Sequence, residues 1–318
     1  KNPEFTEFNQ SATKIFDKWK KENISQMFDF GKKSYPKKFI ESLSENLLNR
    51  FKSTPLVRSY DLYQQLMDYW SDTMQDDCFL ISTSGWKEAA QPYEILKVKD
   101  KNNKLVWPKE PFDYIKGKHR FKSELLPSKI LIKRYFETEY NMIELQKTKL
   151  SNLDQKLQES LEENSSEEGL LFEVIEGEGD KQKITTKSIN SRLKEINKDP
   201  NFVEEYSALQ DYAKLLNERK HIKDKLKIVM DDLNIKIENK YSKITEDEIK
   251  ALVVEEKWLF HLSTTVQSEL NSVSQILTSR IIKLANRYAK SLPTITNEMK
   301  EASTKVENHL RRMNFSWK

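Results

Sequence analysis

The side chains best suited to chemistry are thinly spread along this chain. Its four histidines, His119, His221, His261 and His309, stand far apart, with no second His or Cys at the spacing a zinc site needs. Cys78 is the only cysteine, so no intrachain disulfide can form. A nucleophilic cysteine needs a depressed pKa, whereas the carboxylates of Asp76 and Asp77 beside Cys78 oppose a thiolate by like-charge repulsion. A buried structural thiol is therefore expected. No two acids stand isolated in an apolar stretch, where burial would raise a pKa into the range of a general acid. Neither a G-x-S-x-G nucleophile turn nor a Walker phosphate loop occurs. No catalytic and no metal-binding residue is predicted.

One stretch has the composition of a nucleic-acid face. Residues 97–134 hold twelve Lys or Arg against four acids, a net +8, interleaved with Trp107, Phe112, Tyr114 and Phe121. Cations can neutralise phosphates and aromatic rings can stack on bases. Lys116, Lys118, Arg120 and Lys122 are the candidate contacts to a DNA backbone, with His119 one more surface cation among them. The bland alternative is a small basic β-rich domain whose lysines are merely solvated. Residues 154–180 swing the other way, to a net −9. With Gly169, Gly177 and Gly179 they read as an acidic loop at about 162–183 between helices.

Composition limits the classes further. The 318 residues suit one large or two ordinary domains, and a charged fraction of 33% with few Gly and Pro is typical of long solvated helices. The net charge of +4 is too small to imply nucleic-acid binding by itself. No long apolar run and no signal-like N-terminus appears, so a cytoplasmic chain without a membrane partner is expected.

The elements that must position these residues follow from periodicity. Phe5, Phe8, Ala12, Ile15, Phe16 and Trp19 predict a first helix. Lys32-Lys33-Ser34-Tyr35-Pro36 breaks the pattern, Phe39 to Phe51 predicts a second helix, and Tyr60 to Trp70 a third. Cys78-Phe79-Leu80-Ile81, Tyr93 to Val98 and Leu105-Val106-Trp107 predict strands of a β insertion at about 78–107. After Pro127 come long helices. One starts near Ser128, carries Ile143, Leu150, Leu153, Leu157 and Leu161, and fades at Glu162-Glu163-Asn164. Another carries Ile222, Leu226, Val229, Leu233 and Ile237 close to a heptad seam. Thr245 to Glu248 has capping-box form and opens a helix through Leu259, Leu262, Val266, Leu270, Val273, Leu277, Ile281, Leu284 and Tyr288 to Pro293. A last one carries Ile295, Met299, Ala302, Val306, Leu310 and Met313. The expected fold is mainly α: a helical domain over 1–126 with a small β insertion, then long antiparallel helices over 127–318 forming a coiled-coil-like assembly domain.

Some runs are more particular than an amphipathic helix requires. They are Tyr63-Gln64-Gln65-Leu66-Met67-Asp68-Tyr69-Trp70-Ser71-Asp72-Thr73-Met74-Gln75-Asp76-Asp77-Cys78-Phe79-Leu80 with Ser84-Gly85-Trp86, Pro127 to Phe136, Glu167 to Leu171, Leu252 to Trp258, and Val306 to Trp317. Together they resemble the C-terminal region of the modification subunit of type I restriction-modification DNA methyltransferases, and the resemblance spans nearly the whole chain. In that family the catalytic part needs a Gly-rich F-x-G-x-G loop for S-adenosylmethionine and an N-P-P-[FY] motif for the flipped adenine. Gly177-Glu178-Gly179 has no apolar strand before it and reads as a solvated turn. Asn2-Pro3-Glu4-Phe5 lacks the second Pro, so Asn2 reads as a helix cap and Pro3 as a first-turn residue. The start at Lys1 fits a fragment whose catalytic part lies elsewhere.

The resemblance implies that this region docks the adenine methyltransferase onto the DNA-specificity subunit, in a complex of two modification subunits and one specificity subunit that the restriction subunit can join. S-adenosylmethionine would be a cofactor of the parent protein and not of this fragment, and DNA would be met through the complex. The apolar residues near the chain end, Val306, Leu310, Met313, Phe315 and Trp317, are the candidate partner contacts. Two other classes remain: a DNA-backbone-binding helical module, and an unrelated coiled-coil scaffold.

Overall fold

In a computed structural model the chain is 76% helical, with small antiparallel sheets inserted. The structure describes all residues except 1, 2, 100, 102, 165, 167, 168, 178–182, 198, 314 and 316–318. In chain order come α1 (Pro3–Asp29), α2 (Pro36–Phe51), α3 (Ser59–Tyr69), a π-helical turn (Trp70–Met74), α4 (Gln75–Ser84) and α5 (Trp86–Ala89). Strands β1 (Tyr93–Ile95), β2 (Val98–Lys99), β3 (Leu105–Val106), β4 (Tyr114–Lys116) and β5 (His119–Lys122) follow. Then come α6 (Ser128–Tyr135), α7 (Glu137–Glu163), β6 (Ile175–Glu176), β7 (Lys183–Ile184), α8 (Thr186–Glu195) and α9 (Val203–Lys243). Finally α10 (Glu246–Ala251) leads through a π-helical segment (Leu252–Leu259) into α11 (Phe260–Arg287), followed by α12 (Leu292–Arg312). The chain forms two compact units, Lys1–Ser82 with Val254–Lys318 and Thr83–Val253. They divide at residues 82 and 253 rather than at the expected 126.

In the first unit the aromatic stripes of α1, α2 and α3 are core. Trp19, Leu43, Leu47, Phe51, Leu62 and Leu66 are almost wholly buried. α1 runs antiparallel to α11, marked by Thr13 Oγ1 donating to Gln267 Oε1 and Ser274 Oγ to Asn9 Oδ1, both at 3.4 Å. The expected strand at Cys78–Ile81 is instead the middle of α4. Leu66, Trp70, Met74 and Cys78 recur every four residues and all are buried. A regular α-helix of 3.6 residues per turn would drift off such a stripe, and the π turn at Trp70–Met74 absorbs the excess. The same device at Leu252–Leu259 lets Leu252, Val253, Val254, Trp258 and Leu259 all be buried within one eight-residue segment.

In the second unit α7 and α9 form the expected antiparallel hairpin. Glu139 meets Lys236 at 3.2 Å, and fifteen residues along α7 Asp154 meets Arg219, so position falls on α9 as it rises on α7. Ile143, Leu153, Leu157 and Leu161 face inward on one helix and Ile222, Leu226, Leu233 and Ile237 on the other. A single helix from Ser128 was expected, but Phe136 leaves helical geometry at φ −133° and separates α6 from α7. The described part of the acidic segment is a small cap. Leu171, Val174, Ile184 and Ile189 pack with Leu157, Leu161, Leu209 and Tyr212, over the β6–β7 pair.

The β insertion lies at 93–122 rather than 78–107. A three-stranded antiparallel sheet has the order β1-β5-β4, with Ile95 opposite Arg120 and Ile115 opposite Arg120 on the other side, while β2 and β3 pair antiparallel apart from it. Gly177 sits at φ +97° in an exposed bend, while Glu178, Gly179 and Asn2 lie outside the described residues.

Candidate functional site

Three places bear on function: a buried polar knot, the basic sheet and the C-terminal helices. The knot joins two of the particular sequence runs. Asp77, only 3% exposed, comes from α4, and Lys257 and Trp258 come from the π-helical segment before α11. Asp77 Oδ1 accepts from Lys257 Nζ and Oδ2 from Trp258 Nε1, each at 2.8 Å. Tyr69 donates its hydroxyl to the Lys257 carbonyl at 3.4 Å and stacks on the His261 ring with centroids 4.0 Å apart. Phe39 packs beside Trp258.

Burial pushes the Asp77 carboxyl up from its ordinary value, while the Lys257 ammonium and the Trp258 N–H oppose that rise. Burial, with Asp77 next door, pushes both the Cys78 thiol and the Tyr69 hydroxyl up, and burial pulls His261 down. Cys78 is therefore a protonated, fully buried thiol, as the sequence implies. Asp77, Cys78 and Trp258 are inaccessible, whereas Lys257 is half-buried and the His261 ring is exposed. The knot fixes α4 against the segment preceding α11. Sequence reasoning missed Asp77, Lys257, Tyr69 and His261. The available signal was that Asp77 falls on the buried stripe of its own helix, where an acid must be paired.

The basic sheet places the four DNA candidates unequally. Lys116 pairs with Glu238 of α9 at 2.5 Å, and Lys122 with Glu124 at 2.8 Å. The Arg120 guanidinium lies 4.8 Å from the Trp107 ring centroid and 4.7 Å from that of Phe112. These contacts bind β4 and β5 to the rest of their unit, helped by Tyr114 stacking on Phe121 and packing near Tyr241. Lys118, at the β4–β5 turn, has no carboxylate within ion-pair reach among the described residues. Three of the four cations are thus engaged internally, with Arg120 lying over the Trp107 and Phe112 rings.

The third place is the end of the chain. α12 has no buried residue along its 21 positions. Ile295, Met299, Ala302 and Val306 are exposed and Leu310 is half-buried. Val306 is 56% exposed, Met313 77% and Phe315 60%, while Trp317 lies outside the described residues. The Phe315 N–H returns to the Leu310 carbonyl at 2.9 Å, so the apolar stripe continues past the last helical turn. Of the candidate partner contacts, Val306 and Leu310 thus lie on α12, with Met313 at its cap and Phe315 just beyond it.

Among the described residues no cluster of His, Cys, Asp or Glu could hold a metal ion, and no helix is long and apolar enough to cross a membrane. Comparison with protein-family models, curated proteins and solved structures gives no match.

Proposed function

We propose that this chain is the C-terminal assembly region of the modification subunit of a type I restriction-modification DNA adenine methyltransferase, and that it docks the catalytic part onto the specificity subunit. The observation that carries the reading is α12. An amphipathic helix with an apolar stripe and no buried residue among those described is the form taken by one half of a helix-in-groove or coiled-coil interface. The family itself comes from the sequence runs quoted above. Two of those runs supply the knot at Asp77, which fits a need for rigid placement of helices.

The test is Leu310→Asp in an intact modification subunit, followed by co-purification with the cognate specificity subunit. A carboxylate forced into an apolar interface costs several kcal/mol, so assembly should be lost. Circular dichroism of the variant should be unchanged, because α12 contributes no buried residue to its unit. Assembly at the wild-type level removes this segment from the interface.

A further inference from the structure

We propose that the second half of α11, from residue 277 to Arg287, with the turn through residue 290, docks an acidic amphipathic helix of a partner protein. The proposal deepens the assembly reading and rests on it, since it names the chemistry that the partner must bring. Along α11 the apolar positions Leu262, Val266 and Leu270 are buried, with α1 and α3 packed against this helix. The last marker of the α1 pairing is the bond between Ser274 and Asn9. Beyond it the seam continues through Leu277, Ile281, Leu284 and Tyr288 in steps of four, three and four. Ile281, Leu284 and Tyr288 are all more than half exposed. A seam repeating every 3.5 residues is complemented by another helix, whose side chains fill the gaps between successive knobs.

Charge selects which helix. Between Glu269 and Glu298 there is no acid, while Arg280, Lys283 and Arg287 are present and Lys290 is already paired with Glu298 at 2.7 Å. Arg280 and Arg287 stand one heptad apart along the same edge of the seam, the flanking position that pairs with the facing helix in a coiled coil. Neither is held by a carboxylate among the described residues. A second copy of this stretch would bring no acid to that edge in either orientation. A partner helix with Asp or Glu along its flank satisfies both guanidiniums, and the seam that α11 already buries in its first half runs on into the new interface.

The experiment uses the whole chain and two synthetic helical peptides with the same Leu/Ile heptad seam, one flanked by Glu and the other by Lys. The chain should bind the Glu peptide at least about tenfold more tightly, and that preference should shrink between about 0.05 and about 0.5 M salt as screening shortens the range of the charges. Arg280→Glu with Arg287→Glu, both exposed changes that leave the core untouched, should reverse the preference towards the Lys peptide. Equal binding of the two peptides, or binding of neither, overturns the proposal. So does binding to phosphatidylserine vesicles without binding to the Glu peptide, which would make the face a lipid contact. If Leu310→Asp abolishes assembly but the charge-reversed chain shows no changed preference, this inference falls and the assembly reading stands. If the preference reverses while the specificity subunit never binds, the assembly reading falls.

Discussion

At the scale of single residues, the buried polar contact at Asp77 holds helices together. Asp77 is an acid on a buried stripe, and removing it leaves the Lys257 ammonium and the Trp258 N–H without their acceptor. Breaking a buried pair from one side typically costs about 3–5 kcal/mol. Asp77→Ala should therefore lower the urea midpoint strongly at pH 7, with Asp77→Asn falling between it and wild type because the amide oxygen can still accept one bond. An unchanged midpoint for Asp77→Ala would mean that the knot is dispensable. Glu248 provides a pH-dependent case. Its carboxylate accepts from Lys240 and closes the capping box on Thr245, which holds its pKa at about 2 against an ordinary 4.5. A carboxyl depressed in the folded state stabilises above its unfolded pKa and loses that contribution as protons return. The difference between wild type and Glu248→Gln should thus be full at pH 7 and shrink as the pH falls from about 4.5 towards about 2. Because the side chain is 36% exposed, solvent screening reduces the expected difference to about 1 kcal/mol.

At the scale of elements the periodic signal was readable wherever one helical face is buried. The stripes of α1, α2, α3, α7 and α9, and the Thr245 capping box, were all legible for that reason. Cys78–Ile81 was misread because a four-residue apolar run fits a strand or a buried helix equally well. The constraint that decides it is packing around Asp77, which local pattern does not contain. The break at Phe136 carries no Gly or Pro, and β4–β5 was overlooked because its strands are only three and four residues long and carry mostly polar surface. The candidate docking seam was legible as a stripe, but whether α12 is covered depends on tertiary contacts. Gly169 gives a test of the cap on the α7–α9 hairpin. A Cβ there would lie 2.4 Å from the Asn164 carbonyl oxygen, which is backbone and cannot swing aside. Gly169→Ala should cost about 1–3 kcal/mol, the usual range for forced overpacking, and should raise amide exchange in β6, β7 and α8 before the rest of the hairpin. Uniform protection throughout would show that the cap yields without cost.

At the scale of the whole molecule the first unit buries the early part of α11 and leaves the later part and α12 open to solvent, although both carry apolar seams. Exposed apolar helices are costly to maintain as a monomer's surface, because they invite non-specific association. We propose that assembly, with the specificity subunit as partner, accounts for them. The basic sheet, with Lys116, Arg120 and Lys122 engaged within the unit, adds little to that role. The most direct measurement is the native mass of the chain mixed with the cognate specificity subunit, neither partner carrying substitutions. The account predicts a single species containing two copies of this chain and one specificity subunit, stable through size exclusion. Two separate masses at micromolar concentration, with both proteins folded, would contradict it.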